Sequence, residues 1–202
     1  MELLTQLMKV PSAALCLFAL FFLLVALLKI KQVRLSVSMA ASSGLMLAMA
    51  VILTAFPFYR MPNGGSVTLG GMLPLFFISF AYGPEVGMLA GFAYSLMNLV
   101  MAPYILHPVQ VLFDYPLPFM ALGLAGCFPR HHMAGITAAV AVRLFFHFLS
   151  GVVFFGSYAP AGTSIYLYSF VTNLTYLLPN LVICLVSVSY THLRAHETDQ
   201  YL

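Results

Sequence analysis

The chain has 202 residues, of which 62% are hydrophobic and only 6% are Asp, Glu, Lys or Arg. A soluble domain carries about 25% charged residues, so a soluble fold is excluded and the chain reads as an integral membrane protein. The net charge of +3 is too small to imply a nucleic-acid partner.

Apolar runs of helix length recur and strand-like alternation does not, so the expected fold is an all-α polytopic membrane bundle rather than a barrel. A span needs about 20 apolar residues, fewer where helices are buried or broken. Residues 12–30 form the first candidate, entered by Pro11 and stopped by Lys29 and Lys31. Glu2 and Lys9 precede it and no A-x-A-like site follows Ala26, so a retained helix is expected rather than a signal peptide. Residues 35–56 form the second, ended by Pro57. The next segment, FYRMPNGGS (58–66), has the chemistry of a turn. A short third helix is expected over 67–82, interrupted by Gly70, Gly71 and Pro74. Gly83, Pro84 and Glu85 make a tight turn, with Pro84 opening the fourth helix, 84–101. After a loop at 102–107, Pro108 opens the fifth, 108–127. Pro129, Arg130, His131 and His132 connect it to the sixth, 133–153. A loop rich in Gly, Pro and Tyr, 154–164, leads to the seventh, 165–186.

The chain therefore divides into an extra amino-terminal helix with its basic linker (1–34), a six-helix domain (35–186) and a polar tail (187–202). The tail lacks helical periodicity. It reads either as a solvated cytoplasmic tail or, over VSYTHLRAHET (188–198), as a segment resembling the translation of a common sequencing adapter. The second reading is the stronger, and it makes the chain a truncated fragment. His192, His196 and Glu197 are accordingly left out of the functional reading.

Lys29, Lys31 and Arg34 cluster between the first two helices, which places that linker in the cytoplasm by the positive-inside rule. Counting spans returns Arg130 to the same side. The loops 58–66, 102–107 and 154–164 then lie outside, with Arg60 the one charge against the rule. Cys16, Cys127 and Cys184 are isolated and lack disulfide or metal spacing; small core residues are expected.

Asp114 is the only acid between Glu85 and Glu197, and it falls inside a span, in YILHPVQVLFDYPLP (104–118). A carboxylate facing lipid is too costly, so it must meet a partner in the protein interior or in a watery cavity. Arg143 and His147 are four apart and share a helix face, with His147 at a depth comparable to Asp114. Two readings stay open. One is a buried Asp–Arg pair that fixes helix packing. The other is a cavity whose carboxylate takes a cationic or amino-bearing ligand, with His147 as donor or stacking ring. His107 is read as a loop residue at the entrance. On the seventh helix, Tyr168 and Asn173 are spaced to bound one pocket, near Tyr166, Thr175 and Tyr176. Asn173 needs a hydrogen bond, from a neighbouring helix or from a ligand. Tyr104, Tyr115, Phe155 and Tyr158 form either an interfacial aromatic belt or a box around a planar cation, each cation–π contact contributing about 1–2 kcal/mol. The small residues Ala40, Gly44 and Ala48 let another helix approach, as internal packing or as a docking face for a partner subunit. No P-loop, H-E-x-x-H or G-x-S-x-G motif is present, and the adjacent His131 and His132 cannot share a helix face for a metal. An intramembrane enzyme using Asp114 with His107 or His147 as acid–base pair remains an alternative.

Five stretches together resemble the thiamine-specific substrate-binding (S) components of energy-coupling factor transporters. They are RMPNGGSVTLGGMLPL (60–75), YGPEVGMLAGFAYSL (82–96), YILHPVQVLFDYPL (104–117), FFHFLSGVVFFGSYAPAG (145–162) and LYSFVTN (167–173). The resemblance implies a six-helix S-component bundle over 35–186, with 12–30 as an added helix. It implies a thiamine pocket near the outer face, closed by the loop 58–66. Asp114 would meet the thiazolium, where many members have Glu, and Tyr115 follows it. His147 would stack, Gly151 would give a backbone contact, and Tyr168 and Asn173 would take the aminopyrimidine. Tyr104 completes the expected ligand set. Phe155 falls where some members have a stacking Trp. A second such Trp has only 63–66 opposite it, which leaves Tyr59 to supply that stacking in a chain without tryptophan. Ala40, Gly44 and Ala48 resemble the docking face for the energising subunits. The implied activity is capture of thiamine outside a bacterial cell membrane and delivery through an energy-coupling transmembrane subunit and two ATPase subunits. No cofactor, metal or reaction on this chain is implied. An S component for another heterocyclic vitamin, or a self-sufficient small transporter, is the alternative.

Overall fold

Proline and glycine set most of the element boundaries. The computed structural model describes residues 11–31, 33–62 and 64–199; Glu2, Lys9 and Asn63 lie outside the described residues. Helix α1 is Pro11–Ile30. Helix α2, Val37–Ala55, is capped by Ser36, whose Oγ accepts from the Met39 N–H at 3.2 Å. Strands β1 (Tyr59–Arg60) and β2 (Ser66–Val67) pair antiparallel in a short hairpin. Then come α3 (Leu73–Tyr82), α4 (Pro84–Met101), α5 (Pro108–Asp114) and α6 (Pro116–Ala121), the last continued by a 3-10 segment, Leu122–Cys127. Helix α7 is His132–Phe154, followed by a 3-10 turn, Gly156–Tyr158, and by α8, Ile165–Asp199.

Three elements differ from the sequence reading. The helix expected over 67–82 starts only at Leu73, because Ser66 and Val67 belong to the hairpin and Gly70 takes φ +87°. That left-handed backbone interrupts any helix and suits glycine. The helix expected over 108–127 breaks at Tyr115, which has φ −117° and ψ −81°. Pro116 causes the break: it lacks an N–H and disfavours helical backbone at the residue before it. The last helix does not stop at 186 but runs to Asp199. No Gly or Pro falls between 181 and 199, so nothing in the backbone chemistry ends it.

Five helical segments are long and apolar enough to cross a membrane: Ser12–Ile30, Val37–Ala55, Pro108–Cys127, His132–Phe154 and Ile165–Tyr190. The protein is an all-α polytopic membrane protein. Helix α3 has ten residues, which is about 15 Å of rise against a hydrocarbon core of about 30 Å.

The main core joins α2, α3, α4, the 3-10 segment, α7 and α8 around Leu75, Phe76, Leu122 and Ile136. Here α4 meets α6 and the 3-10 segment at backbone distance. A Cβ on Gly91 would strike the Phe119 carbonyl, and one on Gly123 would strike the Met88 amide. Small residues at such seams let helices gain close van der Waals contact in lipid. A second cluster joins Ala19 of α1 to Phe113, Leu117, Ala121 and Phe146. Phe18 stacks on Phe113 at 6.4 Å and 15°. Helix α1 thus backs onto the helices that carry Asp114 and His147, while Leu17, Leu20, Phe21 and Leu24 stay exposed for lipid.

The stripe Ala40, Gly44 and Ala48 is exposed, and a Cβ on Gly44 would meet nothing within 4 Å. It is therefore not a packing seam among the described residues. Of the cysteines, only Cys184 is buried; Cys127 is exposed at the end of the 3-10 segment and Cys16 is intermediate on α1. The expectation of three core cysteines fails for Cys127 because the chain turns there, at Phe128 and Pro129, to leave the bundle.

Candidate functional site

The break at Tyr115 ends α5 with Asp114 pointing inward. Gln110, one turn earlier and fully buried, connects this carboxylate to the preceding loop. Its Nε2 donates to Asp114 Oδ2 in a short bond and to the Tyr104 carbonyl at 3.1 Å, while its Oε1 accepts from the Leu106 N–H at 3.0 Å. The buried Tyr115 holds the other side of that loop. Its hydroxyl donates to the Ala102 carbonyl at 2.9 Å and accepts from the Tyr104 N–H at 2.8 Å. His107 caps α5, its Nδ1 accepting from the Val109 N–H at 3.1 Å, and its ring stacks on Phe154. These bonds give a loop of 102–107 a fixed shape at the cavity rim.

Helix α7 supplies the partner of Asp114. His147 Nδ1 lies 3.4 Å from Asp114 Oδ1, and its Nε2 lies 3.3 Å from Arg143 Nε. The direct Asp114–Arg143 pair, one of the two readings of the sequence, is not formed. Arg143 sits one turn deeper, with its guanidinium 4.2 Å above the Phe119 ring and its buried Nη1 without a partner. The histidine stands between acid and base.

Helix α8 closes the third side. Asn173 Nδ2 donates to the carbonyls of Ser169 (2.9 Å) and His147 (3.3 Å), and its Oδ1 accepts from the Tyr176 hydroxyl at 3.0 Å. Asn173 therefore bonds a neighbouring helix and also faces the cavity. Gly151 permits the approach of α7 and α8: a Cβ there would strike Ser169 Oγ and come within 3.3 Å of Asn173 Nδ2.

Asn180 fastens the hairpin to α8. Its Oδ1 accepts from the Thr68 N–H (3.0 Å) and hydroxyl (3.1 Å), and its Nδ2 donates to the carbonyls of Ser66 and Tyr176, each at 2.8 Å. The Thr68 hydroxyl in turn accepts from the Gly71 N–H. The hairpin lies on the cavity edge, with Gly65 against the Tyr176 ring. The far wall is Tyr94, whose hydroxyl is 2.6 Å from Thr54 Oγ1.

These groups enclose one cavity of about 430 Å³. Sites for small molecules commonly fall between about 300 and 1,000 Å³. Asp114, Tyr115, His147, Gly151, Phe155, Tyr168, Asn173 and Tyr104 all line it. Tyr104 and Phe155 stack at 5.8 Å and 21°. The Tyr158 hydroxyl, next to Tyr104 at the rim, pushes the Tyr104 phenol above its ordinary value. Tyr59 does not line the cavity and is 52% exposed. Alternation along the strand explains this: Arg60 faces the cavity, so Tyr59 faces away. Gln110, Tyr94, Asn98, Thr68 and Asn180 also line it and were not singled out from the sequence, and Arg60, noted there only for its charge, lines it too. Gln110 carried a signal, the i, i+4 spacing to Asp114. Asn180 carried the same one as Asn173, an amide inside an apolar run.

A family model described as thiamine transporter protein (Thia_YuaJ) matches residues 40–199. The chain belongs to this family. Among its relatives, the thiamine transporter ThiT of Bacillus subtilis (strain 168) is 37% identical over 161 residues, covering 70% of this chain and 83% of that protein. The thiamine transporter ThiT of Lacticaseibacillus paracasei is 29% identical over 123 residues, covering 51% of this chain and 61% of that protein. A solved structure of ThiT from Listeria monocytogenes superposes with a TM-score of 0.68 at 24% identity, over 75% of this chain and 91% of that one, and establishes the likeness of fold. Helix α1 lies wholly outside the region that the family model matches.

Proposed function

We propose that this chain is the substrate-capturing membrane subunit of an ATP-driven thiamine importer. The observation that carries the reading is the Asp114 carboxylate, held by Gln110 and His147 on the wall of a 430 Å³ cavity. Thiamine offers a fixed positive charge on its thiazolium and a donor–acceptor edge on its aminopyrimidine. Asp114 is the counter-ion of the first, and Tyr168 with Asn173 meets the second. His147, Tyr104 and Phe155 provide aromatic faces, and each desolvated cation–π contact adds about 1–2 kcal/mol. Gly151 lines the cavity and lets α8 come close enough for Ser169 and Asn173 to sit against α7.

The loops that carry Arg60, Tyr104 and Tyr158 face the outside, and the basic linker of Lys29, Lys31 and Arg34 faces the cytoplasm with Arg130. Thiamine enters from outside. No bond is made or broken on this chain; an energy-coupling transmembrane subunit and two ATPase subunits supply the work. The exposed stripe Ala40, Gly44 and Ala48 is their docking face, since nothing among the described residues covers it. Calorimetric titration of the purified protein with thiamine, riboflavin and biotin tests the reading. Binding of thiamine alone is expected. Absence of thiamine binding, or equal binding of riboflavin or biotin, overturns it.

A further inference from the structure

A histidine held between an arginine and a carboxylate has one tautomer that satisfies both. Arg143 Nε carries a hydrogen and no free lone pair, so at 3.3 Å from His147 Nε2 it can only donate. Nε2 must then be bare. The single proton of the neutral ring sits on Nδ1, 3.4 Å from Asp114 Oδ1, which can only accept. The opposite tautomer would set two N–H groups against each other on one side and two lone pairs on the other. An imidazolium would keep the first of those clashes. Among the described residues, the ionisable groups facing the ring are Asp114 from α5, Arg143 on α7 and Tyr176 from α8. The Tyr176 hydroxyl is already donated to Asn173, so among the described residues Arg143 is the group that meets Nε2.

We propose that Arg143 is a positioning residue that fixes His147 as its neutral Nδ1–H tautomer and so holds the Asp114 carboxylate aimed into the cavity. The tautomer stands on geometry alone. Its consequence for the ligand rests on the thiamine reading: a neutral ring can stack on a cation, and an imidazolium would cancel the counter-ion. It also gives a place to a guanidinium in a site for a positive ligand. Arg143 is turned onto the Phe119 face, with the histidine interposed between it and the carboxylate.

The test is the ¹⁵N spectrum of His147 in the ligand-free, histidine-labelled protein, assigned by its loss in His147→Gln. A protonated Nδ1 and a bare Nε2 are expected; a protonated Nε2 overturns the inference without any variant of Arg143. Arg143→Met should lose this signature, and its thiamine affinity should fall about tenfold or more between about pH 8 and about pH 6 as the freed ring takes up a proton, while the wild type changes less than about twofold. Arg143→Lys, which keeps a donor, should restore both readouts. A methionine variant with the wild-type tautomer and a flat pH profile overturns the proposal. Should that variant fail to fold, the wild-type and lysine spectra decide. A wild type that shows the Nδ1–H signature but binds no thiamine would sink the functional reading and leave this one standing.

Discussion

Asp114→Asn removes one charge from the cavity and keeps the shape of the side chain. The side chain is 18% exposed, so water screens it weakly. A ligand cation about 4 Å away, at an effective dielectric of about 20, gains about 4 kcal/mol from the full charge. Gln110 and His147 already hydrogen-bond the carboxylate in the empty site, and displacing their polarisation takes back part of that gain. The net loss on substitution is then about 2–4 kcal/mol, or a dissociation constant raised roughly thirtyfold to a thousandfold. The assay is calorimetric titration with thiamine, paired with an uncharged analogue of the same outline. The analogue should bind wild type and variant alike to within about threefold, because it never meets the charge. Circular dichroism should show unchanged helix content. A thiamine affinity within about threefold of wild type in a folded variant refutes the counter-ion argument.

Asn180→Ala leaves the buried Thr68 N–H and the Ser66 carbonyl without partners, a loss of about 2–4 kcal/mol. The melting temperature should fall by roughly 5–15 °C, with faster amide exchange at 66–68; an unchanged melt would show that water replaces these bonds. Phe18→Ala removes a ring that packs on Phe113 and Phe146, yet it should destabilise by only about 1 kcal/mol. Lipid is as apolar as the bundle, so the usual 3–5 kcal/mol of a soluble core does not apply, and a loss of that size in detergent-free membranes would contradict the reasoning. Cys127 is exposed and Cys184 buried. A membrane-impermeant maleimide should label Cys127 only after the membrane is opened; labelling in intact cells would invert the orientation.

Much of the fold was legible because breakers act locally. Pro84 and Gly83 fix the α3–α4 turn whatever surrounds them, and the fourth helix was read with its observed ends. The rule that breaks α5 at Tyr115 is equally local, and Pro116 announced it; the apolar run on both sides concealed it. The hairpin was hidden for another reason. Two-residue strands have no periodicity, and this pair is held by Asn180, more than a hundred residues away. In the site, residues with unusual chemistry for a membrane stood out: Asp114, Arg143, His147, Asn173. Their pairing did not, because whether Asp114 meets Arg143 or His147 depends on a single helical turn and on how α6 turns away after its break. Gln110 carried only its i, i+4 spacing to Asp114, and its complete burial is what makes it an anchor.

The brevity of α3 has a consequence of its own. The backbone just before it, at Thr68, Gly71 and Met72, lines the cavity instead of lengthening the helix. Part of the cavity wall is thus the backbone that this helix leaves unwound. Where α3 begins therefore decides how much of that wall is irregular backbone, each residue added to the helix taking up about 1.5 Å of rise. Moving that one start point changes the wall formed by 68–72 without changing any residue of the helices that bear the carboxylate and the imidazole.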